Sequence, residues 1–123
     1  MVYTSYFANW RKLEKARIQM VSIARINPHK LNCPMLKHLA PSPALLAGTK
    51  KGIIKWDRYV ERYGKQLKAL DLTEVKKELD NLQEQYGDIA LCCYEKPQDH
   101  CHRHLLAEYL SEHLDMNIIE YLG

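Results

Sequence analysis

Four short segments of the chain pattern as strands. Val2-Tyr3-Thr4-Ser5-Tyr6-Phe7 is rich in β-branched and aromatic residues, which suit a pleated surface. A polar, charged connector runs from Asn9 to Lys15, and residues 18–25 (IQMVSIAR) then form a nearly unbroken apolar run, as in a strand covered on both faces. Asn27-Pro28 closes that run, since proline disfavours helical backbone at the residue before it. Residues 89–94 (IALCCY) are again continuously apolar and predict a central parallel strand ending at Glu95, and residues 117–121 (NIIEY) predict a last strand.

Helical spacing fills the second half of the chain. Trp56, Val60, Tyr63, Leu67 and Leu70 recur at steps of four and three, so they share one face. Gly64 within that segment costs up to ~1 kcal/mol relative to Ala, which calls for compensating packing. Asp71-Leu72-Thr73-Glu74 carries a helix-start pattern, Val75, Leu79, Leu82 and Tyr86 form a second stripe, and Gly87 sits where a C-terminal cap belongs. Asp99 is the expected N-cap of a final helix with the apolar face Leu105, Leu106, Tyr109, Leu110 and Leu114. Between Pro28 and Gly52 four prolines break regular structure, with room for a short helix around Ala44 to Ala47. Long loops of this kind are often functional. Strands alternating with helices predict a single α/β domain over residues 1–123, a mostly parallel sheet flanked by helices in a Rossmann-like three-layer sandwich. The connector between the first two strands is close to the minimum for a parallel crossover, so that pairing is the weakest part of the topology.

Composition adds limits. The chain has 123 residues, 46% hydrophobic and 27% charged, which suits one globular domain. It has no run of 18 or more apolar residues, so no membrane span is expected, and the N-terminus does not read as a secretory signal. A formal charge of +3 does not announce nucleic acid, and Lys50-Lys51 with Lys55 and Arg58 reads as a solvated loop and helix start. Cys92 and Cys93 would point to opposite faces of a strand, so all four cysteines (Cys33, Cys92, Cys93, Cys101) are read as reduced thiols in a cytoplasmic protein.

Residues 93–104 (CYEKPQDHCHRH) concentrate the reactive side chains. A buried strand ends at Glu95, the chain turns, and a helix begins with Cys101, His102 and Arg103. Ligands of open α/β sheets sit outside the carboxyl ends of the strands. A helix start there attracts anions and lowers the pKa of a thiol, which makes Cys101 a candidate nucleophile. Arg25 stands at the carboxyl end of the other apolar strand. If the two strands are neighbours, Arg25, Glu95 and Cys101 converge, and the guanidinium can hold a phosphate or carboxylate. Ser22 and Asn27 are near enough to add hydrogen bonds, and His38 and Ser42 of the Pro-rich loop can close over the crevice. The plainer alternative is an Arg25–Glu95 ion pair sealing the sheet edge.

A zinc site competes, given Cys93, His100, Cys101, His102 and His104. His100 and His104 have helical spacing, but no second close pair of ligands accompanies them, so no metal is assigned. The spacing of Cys101 and Arg103 excludes a protein tyrosine phosphatase loop, and Ser-hydrolase and Walker-type motifs are absent.

Residues 3–7 (YTSYF), 22–25 (SIAR), 39–42 (LAPS), the stretch from Trp56 to Tyr63, and Leu91-Cys92-Cys93-Tyr94-Glu95 with Cys101-His102-Arg103 together resemble the family catalogued as domain of unknown function 488 (DUF488). The resemblance implies an α/β domain with a site formed by Arg25, Glu95, Cys101, His102 and Arg103. It brings no established reaction; fold-level analogy points to nucleotide or nucleic-acid chemistry. The expectation is therefore a domain that binds or acts on a small phosphorylated or nucleotide-like anion. Arg25 and Arg103 hold the anion with Ser22, Asn27 and Ser42, while Glu95, Cys101 and His102 are the catalytic candidates. No cofactor is assigned, and nucleic acid stays open as a partner. The competing expectation is a non-catalytic interaction module in which the same cluster knits the sheet to the helix.

Overall fold

The most apolar segment of the chain becomes the strand buried along its whole length. In the computed structural model, which describes residues 1–28, 31–95 and 100–123, this strand is β3 (Ile89–Cys93), and all of its residues are buried. It lies between β1 (Val2–Tyr6) and β2 (Gln19–Ser22), and β4 (Ile119–Glu120) pairs with the far side of β1. The four strands are parallel in the order β2-β3-β1-β4. The neighbour relation of the two apolar strands holds in the register Gln19↔Ile89 through Ser22↔Cys92.

Side chains alternate across the sheet. Ile89, Leu91 and Cys93 enter a large core with α2 (Pro43–Lys50), α3 (Trp56–Lys68), α4 (Leu72–Tyr86) and α5 (His102–His113). Ala90 and Cys92 enter a smaller core with Phe7, Leu13 and Met20, covered by α1 (Trp10–Lys15). Helices on both faces of a parallel sheet make the expected three-layer α/β fold. Cys92 and Cys93 do point to opposite faces.

The stretch expected to be a polar connector folds as α1, which corrects the sequence reading. Only Leu13 of this short helix is buried, so no periodic stripe exists to be seen. Arg17, at a left-handed φ of 60°, turns the chain out of the helix into β2. The helix also makes the short crossover feasible. The buried face of α3 is Tyr59, Tyr63 and Leu67, with Val60 turned to solvent, so Tyr59 replaces Val60 on the expected stripe. Asp71 caps α4 by accepting from the backbone N–H of Thr73 and Glu74. Gly87 follows at φ 82°, a conformation glycine adopts without steric cost.

The Pro-rich segment is held by α3. Tyr63 Oη donates to the Leu39 carbonyl at 2.6 Å, Gln66 Nε2 donates to the Ala40 carbonyl at 2.6 Å, and Ser42 N–H donates to Gln66 Oε1 at 3.0 Å. Ser42 then caps α2 through its hydroxyl, with Pro43 in the first turn where a missing N–H does no harm. The expected short helix thus extends over Pro43–Lys50.

The last helix starts at His102, and its N-cap is Cys101, whose sulfur accepts from Arg103 N–H. Asp99, the expected cap, lies outside the described residues.

Gly64 shows no packing that explains it, since nothing lies within 4 Å of where a Cβ would sit. Gly64→Ala should therefore raise stability by about 0.5–1 kcal/mol, measured by urea denaturation of the two proteins side by side.

Candidate functional site

Because β2 and β3 are neighbours, their carboxyl ends open together, and the chain leaving each one lines a single cavity of about 550 Å³. Ala24, Arg25 and Ile26 follow β2, Cys93 ends β3 and is followed by Tyr94 and Glu95, and Cys101 and His102 begin α5. Leu46, Thr49 and Lys50 of α2 and Trp56 and Tyr59 of α3 complete the walls with Pro41 and His100. This volume falls in the range of small-molecule sites, roughly 300–1,000 Å³. A second cavity of about 400 Å³ lies at the amino end of β2, lined by Trp10, Arg17, Met20, Cys33 and Tyr86 among others. It contains none of the sequence-predicted site residues.

Arg25, Glu95, Cys101 and His102 are therefore brought together. Arg25 is held at the wall by Nε donating to the Pro41 carbonyl at 2.7 Å. No Arg25–Glu95 ion pair forms among the described residues. Glu95 is exposed at the cavity mouth, and its charge, after burial, is the second reason that the Tyr59 phenol is pushed above its usual pKa. Trp56 stacks between Tyr59 (ring centroids 5.1 Å apart, 16° between planes) and His100 (4.2 Å, 17°).

His102 is buried, and its Nε2 lies 2.7 Å from the Ile23 carbonyl. Carbonyl oxygens only accept, so Nε2 carries the proton and Nδ1 is left with a lone pair. Nδ1 lies 3.8 Å from Cys101 Sγ. Burial lowers the His102 pKa to about 4; the Ile23 bond opposes this, and Arg103 and His104 reinforce it. The imidazole is thus neutral at physiological pH.

Cys93 and Cys101 are joined as a disulfide, S–S 2.16 Å, with Cα atoms 7.6 Å apart. This corrects the expectation of four free thiols, since only Cys33 and Cys92 are free. The meeting is between a strand end and a helix cap eight residues apart, which only the fold creates.

Arg103, expected as an anion ligand, is instead fully buried and absent from the cavity wall. Its Nε and Nη2 donate to the two carboxylate oxygens of Glu120 at 3.1 and 2.9 Å. Nη1 donates to Cys93 Sγ at 2.9 Å and to the Glu95 carbonyl at 2.5 Å. Thr4 Oγ1 completes the Glu120 shell at 2.6 Å. A buried guanidinium needs a carboxylate partner, and β4 supplies it.

Ser22, Asn27, Ser42 and His38 do not line the cavity. The Ser22 hydroxyl accepts from Ala24 N–H, Asn27 Nδ2 donates to Cys33 Sγ, Ser42 caps α2, and His38 pairs with Glu78 at 2.8 Å. Nearness to Arg25 in sequence did not bring the Ser22 and Asn27 side chains to the cavity, and the Pro-rich loop does not bring His38 or Ser42 there. The sequence reading in turn missed Lys50, Trp56 and Tyr59 as wall residues. Trp56 was read as core and Lys50 as a solvated charge, and nothing in their spacing distinguishes those roles.

A parallel α/β sandwich with a cavity at the carboxyl edge of its sheet, floored by Cys93, Cys101 and His102, defines the class. Within that class, the family model DUF488-N3a, described as the active DUF488-N3 subclade, matches residues 7–114, and the chain belongs to the DUF488 family. No curated protein and no solved structure matches it.

Burial pushes the Glu120 pKa up, but hydrogen bonds from Arg103 and Thr4 and the Arg103 charge outweigh it and hold the carboxyl below its usual value. A carboxylate with a depressed folded pKa contributes stability that is complete above the unfolded value and lost as pH falls toward the folded one. Stability should therefore drop as pH falls through and below the ordinary Glu pKa of about 4.3. Glu120→Gln should flatten that part of the profile and cost about 3 kcal/mol near neutrality, since it leaves a buried Arg103 unpaired. Denaturant unfolding across a pH series checks both.

Proposed function

We propose that the protein binds and acts on a small phosphorylated or nucleotide-like anion in the cavity at the carboxyl edge of β2 and β3. The observation that carries this reading is the composition of one wall set: the cations Arg25 and Lys50, the rings of Trp56 and Tyr59, and the chemically capable Glu95, Cys101 and His102 all face one space. A guanidinium suits planar oxyanions, and an aromatic face suits a planar base. Arg25 and Lys50 take the anionic part of the ligand, and the aromatic wall that Trp56 and Tyr59 form packs against the rest of it. Glu95 at the mouth serves as general acid–base, with Cys101 and His102 beneath the reacting end. The matched subclade is described as active, which supports chemistry at this site over a purely structural role. Arg103, the His102–Ile23 hydrogen bond and the Cys93–Cys101 bond also tie the sheet to the helix, as the structural alternative requires.

No helix among the described residues is long and apolar enough to cross a membrane. We place the protein in the cytoplasm, where thiols are kept reduced and the Cys93–Cys101 pair would stand as a dithiol.

The test is thermal unfolding of reduced protein against a panel of nucleoside mono-, di- and triphosphates and inorganic phosphate. At least one nucleotide should raise Tm. Arg25→Ala should weaken its binding about tenfold, equivalent to about 1.4 kcal/mol, while leaving the ligand-free Tm near wild type. A panel in which no anion stabilises the wild type, or in which Arg25→Ala and Trp56→Ala respond as the wild type does, ends this reading.

A further inference from the structure

The floor of the cavity brings Cys93 together with Cys101 and His102, and the anion-binding reading gives Cys93 no role. Cys93 Sγ, Cys101 Sγ and a ring nitrogen of His102 all lie within 4.8 Å of one another, and all three residues are buried. We infer that the reduced protein binds one zinc ion through Cys93, Cys101 and His102 Nδ1, with the fourth position open to the cavity.

The donors match the ion. Two thiolates and an imidazole are soft ligands that favour zinc over calcium or magnesium. With Zn–S near 2.3 Å and Zn–N near 2.0 Å, a tetrahedral site separates a sulfur from a nitrogen by about 3.5 Å. Cys101 Sγ and His102 Nδ1 stand 3.8 Å apart, so the two adjacent residues already present their atoms at nearly the needed spacing. The Cα atoms of Cys93 and Cys101 are 7.6 Å apart, beyond the 4.4–6.8 Å usual for disulfides, which leaves room for an ion between the thiolates.

The surroundings are those of a metal site. The Ile23 carbonyl accepts a hydrogen bond from Nε2–H at 2.7 Å and so fixes the tautomer that offers Nδ1, the arrangement metal-bound histidines usually have. Arg103 directs Nη1 at Cys93 Sγ (2.9 Å) and its backbone N–H at Cys101 Sγ (3.5 Å), two donors for sulfur charge. The Arg103 charge is already balanced by Glu120, so two buried thiolates would carry an uncompensated −2 that a divalent cation neutralises. All three ligands line the cavity, so the open position takes water or an anionic oxygen of a bound molecule, the pattern of three protein ligands plus one exchangeable site. Cys101 and His102 then serve as ligands, and Glu95 remains the acid–base group. The zinc site stands whether or not the cavity takes a nucleotide.

Loading needs the dithiol. A phosphine reductant and one water cleave the disulfide, giving two thiols and the phosphine oxide. Zinc then displaces both thiol protons to solvent as the two Zn–S bonds form.

The experiment titrates cobalt(II) into protein reduced by phosphine and freed of reductant, with four thiols on denatured titration against two in the disulfide form. One equivalent should bind with the sulfur-to-cobalt charge transfer and intense visible bands of a tetrahedral thiolate site, and one equivalent of zinc should bleach them. Cys93→Ser and His102→Asn should lose these bands, while Cys33→Ser keeps them. Comparing oxidised with reduced wild type needs no substitution, so a variant that fails to fold leaves the test intact. Reduced wild type that shows no charge transfer in excess cobalt, or oxidised protein that shows it equally, overturns the site.

Discussion

The guanidinium of Arg103 fixes the relation among three elements at the working edge of the sheet. It sits in the first turn of α5, donates in bidentate fashion to Glu120 of β4, and reaches Cys93 and the Glu95 carbonyl at the end of β3. A charge this deeply buried has no water to satisfy it, so it holds each of these partners in place or the fold pays several kcal/mol. The start of α5 is thereby locked against the end of β3. That lock brings Cys101 and His102 beside Cys93, and it settles where the cavity floor lies.

The remaining walls follow from α3. Its Tyr63 and Gln66 bind the carbonyls of Leu39 and Ala40, which turns an otherwise irregular segment into a fixed strap. Pro41 lies on that strap, and its carbonyl holds Arg25. One turn earlier, α3 offers Tyr59 and Trp56 to the cavity. A single helix thus positions the strap, the guanidinium that the strap steadies, and the aromatic part of the cavity wall. The site rests on β3 and α3, and Glu95, exposed, lies on its wall.

Strong local signals were legible in the chain. The continuous apolar run at β3, the stripe and N-cap of α4 and the glycine that ends it all translated into structure, because each depends on neighbours within a few residues; the apolar run expected to end at Arg25 shortens to β2 at Ser22. Short elements were not. In α1 one buried leucine is all that meets the sheet, so its period is invisible. On α3, Tyr59 rather than Val60 is buried, continuing the face of Tyr63 and Leu67 at steps of four. Ser22, Asn27 and Ser42 are close to the site in sequence, but their side chains satisfy local backbone groups or a neighbouring thiol instead.

The sequence by itself determined the α/β class, the parallel sheet and the family, since hydrophobic period and motif order are properties of the chain; that Arg25, Glu95 and Cys101 converge depended on β2 and β3 being neighbours. Tertiary structure alone decided that Arg103 belongs to Glu120, that Cys93 meets Cys101, and that Trp56 and Lys50 face a cavity. Those outcomes pair residues from separate elements. Which partner a buried charge or sulfur finds depends on how strands are ordered and helices laid across them, and no local pattern of residues encodes that choice.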